Sequence, residues 1–179
     1  ALVAANTNIA AAAGALAAMI VSWLFVTKKP DLGATINGTL AGLVAITAPC
    51  AYVTPLNSIF IGAIGGVIVV YGALLLEKLK IDDPVSAVPV HLMNGIWGTL
   101  SIGIFATENG VIGLIGGNSS QIVAQLIGVA AFGVWCGVTG SILFLGIKAL
   151  NGLRVSREEE IKGLDILEHG TEAYPGDVV

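Results

Sequence analysis

The sequence predicts an all-α polytopic membrane protein with five transmembrane helices. Hydrophobic residues make up 55% of the 179 residues and charged residues only 11%, against roughly 25% charged residues in a soluble domain. Eight basic and 12 acidic side chains are too few to cover a soluble domain of this size, so the remaining solvent is lipid. Composition therefore excludes a water-soluble enzyme, a nucleic-acid-binding protein and a disordered chain.

Charged residues and prolines separate the chain into apolar stretches. Each stretch is long enough to cross a bilayer, which takes roughly 20 helical residues. Charges at Lys28–Asp31 end the first stretch, and Pro49 and Pro55 enclose a turn between the second and third. Asp83-Pro84 opens the fourth with a capping residue followed by proline at the first helical position. The predicted helices are about 2–26, 34–53, 57–79, 85–106 and 119–150.

Charge placement predicts a membrane region at 1–151 and a cytosolic C-terminal tail at 152–179. Residues 1–151 carry equal numbers of acids and bases, whereas the tail holds three bases and seven acids. Four lysines lie at the ends of spans on the side of the tail, and the opposite loops near 50–57 and 107–119 contain no lysine or arginine. The positive-inside rule then places the start of the chain outside the cell and its end in the cytoplasm.

Five spans with an outside start are expected of part of a larger protein. We interpret the chain as the C-terminal part of a polytopic membrane protein, present as a fragment, a processed chain or a split polypeptide. Glycine pairs separated by three residues predict close helix packing within it, because small residues let helix backbones approach. The pairs are Gly38 and Gly42, Gly62 and Gly66, and Gly133 and Gly137.

His91 is the one ionisable residue between Asp83 and Glu108. It lies about seven residues into the fourth span, or about 10 Å deep at 1.5 Å per residue. An ionisable side chain at such depth is a functional-site hypothesis. Helical spacing at 3.6 residues per turn predicts that small and polar residues share its face, among them Ala87 and Asn94. Pro89 is expected to bend the helix nearby, since it removes a backbone donor.

The chemistry expected of His91 is hydrogen bonding. Burial favours the uncharged imidazole, which offers one donor and one acceptor and suits a small hydrogen-bonding substrate or a proton relay. One histidine cannot hold a metal alone, because catalytic zinc takes three protein ligands. We therefore predict no metal, no cofactor and no enzymatic activity. The structural alternative is a neutral histidine that joins two helices by hydrogen bonds.

Three motifs in order along the chain resemble ammonium transporters of the Amt/Mep/Rh family. The first resembles the eighth helix of that family and its exit, the second the tenth helix, and the third the cytosolic tail. They are the run from Asn37 to Val53, Asp82-Asp83-Pro84 followed by the run from Pro89 to Thr99, and the run from Gly152 to Tyr174. The resemblance covers essentially the whole chain.

The resemblance implies an eleven-helix protomer of two inverted five-helix halves plus one helix, assembled as a homotrimer in the cell membrane. This chain would then supply helices seven to eleven and the tail, and the remaining N-terminal helices would complete it. A narrow hydrophobic pore lined by paired histidines would conduct ammonium or ammonia. His91 matches the second histidine of the pair, while the first, the outer recruitment site and the gate have no counterpart here. Ala87, Val90 and Asn94 are candidate pore-lining residues.

The resemblance also implies a regulatory role for the tail. A P-II signal protein is a candidate partner at the cytosolic face, and no nucleic acid is expected. Two alternatives stay open for the scaffold as a whole: an ammonium sensor or Rh-like ammonia gas channel, and a purely structural membrane subunit in which His91 packs against protein. The tail residues that match the family are Gly163, Asp165, His169, Gly170 and Tyr174.

Overall fold

The computed structural model describes residues 1–173, and these contain seven α-helices and no strand. The predicted tail residue Tyr174 lies outside the described residues. The chain divides into two compact units, Ala1–Ala131 and Phe132–Val179. The fold class is thus the predicted one, an all-α multi-pass membrane protein.

The first unit contains four α-helices and the start of a fifth. The elements of the first unit are α1 (Leu2–Val21) with a π-helical continuation Ser22–Thr27, α2 (Leu32–Thr47), α3 (Pro55–Lys78), a π-helical turn Val88–Met93, α4 (Asn94–Phe105), a 3₁₀ turn Leu114–Gly116 and the beginning of α5 (Ser120–Leu150). The second unit contains the end of α5, then α6 (Arg157–Lys162) and α7 (Leu164–His169).

Four of the helical segments are long and apolar enough to cross a membrane, namely Leu2–Thr27, Pro55–Lys78, Val88–Phe105 and Ser120–Leu150. The fifth apolar helix, α2, has 16 residues and extends about 24 Å at 1.5 Å per residue. It ends at Thr47 instead of the expected residue 53, because Pro49 has no amide to continue the helical hydrogen bonds. Residues 48–52 form turns, in which the Tyr52 amide donates to the Pro49 carbonyl over 2.7 Å.

The helix starts follow the capping residues in the sequence. The Asp31 side chain accepts a hydrogen bond from the Ala34 amide over 2.8 Å, and α2 begins directly after it. The Thr54 hydroxyl accepts from the Asn57 amide over 3.3 Å, with Pro55 at the first helical position of α3. Both helices therefore begin two residues before the expected positions, because a side-chain cap satisfies amides of the first turn.

Glycine allows α1, α2 and α3 to meet at backbone distance. A Cβ on Gly42 in α2 and a Cβ on Gly62 in α3 would each overlap the carbonyl oxygen of Ala10 in α1. Gly38 and Gly66 likewise lie against Gly14 of α1. Close packing is thereby confirmed for the first two of the predicted glycine pairs. The third pair is different, since a Cβ on either of its glycines meets no described atom within 4 Å.

A buried asparagine ties the start of α1 to the connection between α2 and α3. Asn6 is fully buried, and its amide nitrogen donates to the Cys50 and Val53 carbonyls over 2.8 Å each. The Thr107 amide after α4 donates to the Tyr52 carbonyl in the same connection, over 2.9 Å. These bonds hold the loops at the end of the first unit opposite the lysines.

Candidate functional site

His91 lies in the π-helical turn Val88–Met93, which precedes α4. The Asp83 carboxylate begins this turn, accepting hydrogen bonds from the Ala87 amide over 2.7 Å and from the Val88 amide over 2.9 Å. Between Asp83 and Ala87 the chain turns, and Ser86 in this turn has a left-handed backbone with φ of 56°. Asp83 is thus a cap, as expected, but the regular segment starts at Val88 and not at residue 85.

The π-helical geometry changes which side chains share the face of His91. Hydrogen bonds in a π-helix reach five residues along the chain instead of four, so faces derived from 3.6 residues per turn do not continue through it. Pro89, which has no backbone donor, lies inside the turn. Single π-helical turns inside helices are frequent at functional sites, and this one contains the residue that the sequence singles out.

The structure separates the four predicted pore residues into two pairs. Ala87 and His91 are exposed on the surface of the first unit, whereas Val90 is 1% and Asn94 0% exposed. Val90 belongs to a buried apolar cluster with Ala18 and other residues of α1 to α3. Val90 and Asn94 therefore lie inside the first unit, away from the surface of His91, and a pore-lining role for any of the four residues stays a prediction.

The exposed residues close to His91 in the sequence are mainly apolar. Its neighbour Leu92 is 58% exposed, and Val85 and Ile96 are exposed as well. A cavity of about 320 Å³ lies nearer the lysine-bearing end of the first unit, where Asp31, Glu77 and Ser86 contribute to its lining, but His91 does not. His91 therefore lies outside this cavity, with its side chain exposed on the first unit.

The tail folds locally into two short helices. The Ser156 hydroxyl accepts from the Glu159 amide over 3.3 Å and the Glu159 carboxylate accepts from the Ser156 amide over 2.8 Å, which caps α6. Gly163, with φ of 89°, separates α6 from α7, and Gly170, with φ of 68°, ends α7. The predicted tail residue His169 is the exposed last residue of α7.

Asp165 closes the tail segment that follows α7. Its carboxylate accepts a hydrogen bond from the Ala173 amide over 2.9 Å. This bond, with a further contribution from the Ile166 amide, holds the pKa of Asp165 below its ordinary value, because hydrogen bonds from amides stabilise the charged carboxylate. The four described tail residues of the prediction thus belong to one short segment.

We expect the Asp165–Ala173 contact to depend on pH. A carboxyl group whose pKa is lowered in the folded chain keeps its stabilising contact above the unfolded value, and loses it as the pH falls through the lowered value. The amide proton shift of Ala173, followed by nuclear magnetic resonance, should therefore titrate with a midpoint below about 3.9, the ordinary value of aspartate. The Asp165→Asn variant should show no such step. A midpoint above that value would contradict this assignment.

Only weak indications of two features of the site are present in the sequence, namely the contact between Gly65 and Asn94 and the burial of Asn94. Gly65 gives the Asn94 amide room, since a Cβ on Gly65 would lie 2.8 Å from Asn94 Oδ1. Asn94 itself stands three residues after His91, at the start of a mainly apolar helix. Buried polar groups need hydrogen-bond partners, so a buried asparagine at this position indicates contacts to backbone carbonyls.

Comparison of the sequence with known proteins matches the chain to ammonium transporters. The sequence profile of the Ammonium Transporter Family matches residues 1–174. Ammonium transporter Amt2 of Archaeoglobus fulgidus is 49% identical over an alignment of 186 positions, gaps included, which covers 99% of this chain and 40% of that protein. The ammonium transporter of Bacillus subtilis is 38% identical over 174 residues, or 94% of this chain and 43% of that protein. The chain thus spans about two fifths of the length of these relatives.

Solved structures agree with the sequence comparison. A protein described as "Sensor Amt Protein" superposes with a TM-score of 0.85 at 39% identity, covering 93% of this chain and 41% of that chain. The crystal structure of Candida albicans Mep2 superposes with a TM-score of 0.81 at 28% identity, covering 88% of this chain and 37% of that chain. Both structures therefore contain a helical arrangement like this one as a part of a longer chain.

Proposed function

Because the chain belongs to the Ammonium Transporter Family, we propose that it forms part of an ammonium transporter and that His91 lines the conduction path. The observation that carries the proposal is the position of His91. It is the one ionisable residue between Asp83 and Glu108, and its side chain is exposed on an apolar membrane-helix surface. A polar group at membrane depth is expected to face a cavity or a partner helix.

The proposed path has a second wall outside this chain. The apolar residues beside His91 are exposed here, Leu92 at 58% and Ile96 at 37%, and the chain spans only about two fifths of its relatives. The remaining N-terminal helices of the transporter would cover this surface and place a second hydrogen-bonding side chain, expected to be a histidine, opposite His91. Inverted halves with a path between them are the usual architecture of transporters.

The proposed mechanism is transfer of an uncharged species past His91. Ammonium is a cation, and an apolar path strongly disfavours an isolated charge. The substrate would therefore release its proton to water at the entrance, or lose part of its hydration shell there. For net charge to cross with the uncharged molecule, the released proton must also be carried to the other side of the membrane. A neutral imidazole then accepts a hydrogen bond from the passing molecule or donates one to it. His91 acts in this scheme as a binding residue, and the protein is not an enzyme.

The proposal includes an orientation and partners. The lysines at the ends of the spans support an orientation in which the start of this chain lies outside the cell and the tail in the cytoplasm. The whole transporter would be a homotrimer of the cell membrane. The tail, with its two capped helices, would regulate conduction at the cytosolic face, where a P-II signal protein is the proposed partner.

A sensor is the second candidate function. The observation that favours it is the superposition on a protein described as "Sensor Amt Protein". A gas channel for ammonia on the same scaffold is a variant of the transport proposal. The three differ in what crosses the membrane: a transporter moves substrate with net charge, a gas channel moves it without charge, and a sensor need not move it.

The test is uptake by the full-length protein in sealed proteoliposomes, with membrane current recorded on the same preparation. We expect ammonium to accumulate inside only when the protein is present, and current to flow with ammonium and not with potassium. Uptake without current would identify a gas channel. Ammonium binding without either signal would contradict transport and support the sensor.

A further inference from the structure

Asn94 lies directly after the π-helical turn that contains His91, and both of its amide hydrogens point back to backbone. Its side-chain nitrogen donates to the Pro89 carbonyl over 2.9 Å and to the Gly65 carbonyl of α3 over 3.3 Å. Both partners are carbonyl oxygens, so the amide can only present its nitrogen to them. The side chain is fully buried.

The two bonds fix the backbone segment that carries His91. Pro89 stands two residues before His91 and Asn94 three residues after it, so the Asn94–Pro89 bond joins the two sides of the segment that carries the imidazole. The bond to Gly65 fixes the same segment to α3. The backbone direction at His91 is therefore set by one buried amide, while the imidazole itself is exposed.

The packing of α3 fits this role. A Cβ on Gly65 would lie 2.8 Å from Asn94 Oδ1, and a Cβ on Gly72 would lie 2.8 Å from Met93 Sδ and 3.0 Å from Pro89 Cβ. Two glycines two turns apart thus leave room for the π-helical turn on α3. Asn94 Oδ1 is buried and has no partner among the described residues. Leaving a buried acceptor unpaired is costly. The two hydrogen bonds donated by the Asn94 side-chain nitrogen are therefore the interactions that stabilise the side chain in this position.

We propose that Asn94 is a positioning residue, which orients His91 for the substrate by fastening the π-helical turn Val88–Met93 to Pro89 and Gly65. This inference rests on the proposed conduction role of His91. Under this inference Asn94 does not line the substrate path, as the sequence predicted, but supports the segment that carries His91. Asn94 acts on the substrate through His91 and not by contact.

A matched control is present in the same chain. Asn6 is also fully buried, donates two side-chain hydrogen bonds to backbone carbonyls and has an unpartnered Oδ1. Its acceptors, Cys50 and Val53, belong to the loop between α2 and α3, far along the chain from His91. Loss of either asparagine should affect folding alike, whereas only Asn94 should affect the chemistry at His91.

The experiment compares Asn94→Asp and Asn6→Asp in the full-length protein. Each change keeps the side-chain shape and places an acceptor where the donor was. Ammonium uptake is measured against ammonium concentration and against pH, per folded molecule. For Asn94→Asp we expect the maximal rate to fall roughly fivefold, the factor that corresponds to one neutral hydrogen bond, with a changed pH profile. For Asn6→Asp we expect wild-type values of both, with a lower melting temperature.

A second variant reaches the same contact from the other side. In Gly65→Ala the new methyl group displaces the Asn94 amide, which cannot move into solvent because it is buried. We expect a lower maximal rate and a changed pH profile, which in this variant reports on His91 because no ionisable group has been added. We expect no further change when Gly65→Ala is combined with His91→Ala. This variant supplies the readout if Asn94→Asp does not fold.

The outcomes separate this inference from the proposed function. Equal uptake per folded molecule in the Asn94 and Asn6 variants would overturn the positioning role, even if His91→Ala is inactive. An added effect of Gly65→Ala in the His91→Ala background would overturn it too. Full uptake by His91→Ala would instead overturn the conduction role of His91 on which the inference rests.

Discussion

Replacing His91 with alanine in the full-length protein is expected to lower ammonium uptake about five- to tenfold, the range that corresponds to one lost hydrogen bond to a neutral substrate. The imidazole is exposed on the surface of its unit and holds no position in the packed core. The packing within this unit should therefore be unchanged, and assembly of the full-length variant is checked on the same preparation. The measurement is the initial rate of ammonium uptake into proteoliposomes, with potassium uptake recorded in parallel.

The control for this variant is Leu92→Ala, one residue along the same turn. Leu92 is also exposed, and its truncation likewise removes the side chain beyond Cβ, but leucine offers no hydrogen bond. We expect its uptake rate to stay within about twofold of the wild type, since a contact that is absent from the chemistry changes little. Unchanged ammonium uptake and unchanged exclusion of potassium in His91→Ala would argue decisively against the conduction role.

Replacing Gly42 with leucine is expected to destabilise the packing of α1 against α2 strongly. The Cβ alone would overlap the Ala10 carbonyl oxygen and stand 3.0 Å from its carbon and 3.2 Å from Ala11 Cα. These are backbone atoms of α1 and cannot rotate away, so α1 and α2 must separate. Overpacking of a tight core costs roughly 1–3 kcal/mol or more, a large part of a total stability of about 5–15 kcal/mol.

The measurement for Gly42→Leu is the amount of monodisperse protein after extraction into detergent, with its thermal unfolding temperature. Gly42→Ala should give an intermediate result, because it adds the Cβ alone. Gly128→Leu is the control, since a Cβ there meets no described atom within 4 Å. Wild-type yield and unfolding temperature for Gly42→Leu would show that α1 and α2 do not pack at this distance.

The ends of α3 were predictable because they are marked by local chemistry. The expected range 57–79 compares with Pro55–Lys78 in the structure. A threonine cap followed by proline begins the helix, and a charged segment follows its end. Such signals act within a few residues and do not depend on tertiary contacts. Glycine at helical spacing likewise indicated where α1, α2 and α3 approach one another.

The site around His91 was predictable in its key residue but not in its faces. An ionisable residue in an apolar stretch is visible in any sequence. The π-helical turn is not, because it depends on how Pro89 and Asn94 are held against α3. Regular helical spacing put Asn94 on the face of His91, and the resemblance made Val90 a candidate pore-lining residue, but the structure buries both side chains. Local propensity cannot reveal a change of helical period that tertiary packing imposes.

In the proposed function, the π-helical turn that carries the exposed His91 forms one wall of a substrate path completed by another part of the protein. An experimental structure of the full-length protein in lipid with ammonium tests it most directly. We predict a second hydrogen-bonding side chain, a histidine, facing His91 across a narrow path, with the Asn94 amide behind the turn. A structure in which His91 faces lipid, or in which no path adjoins its imidazole, would contradict the claim.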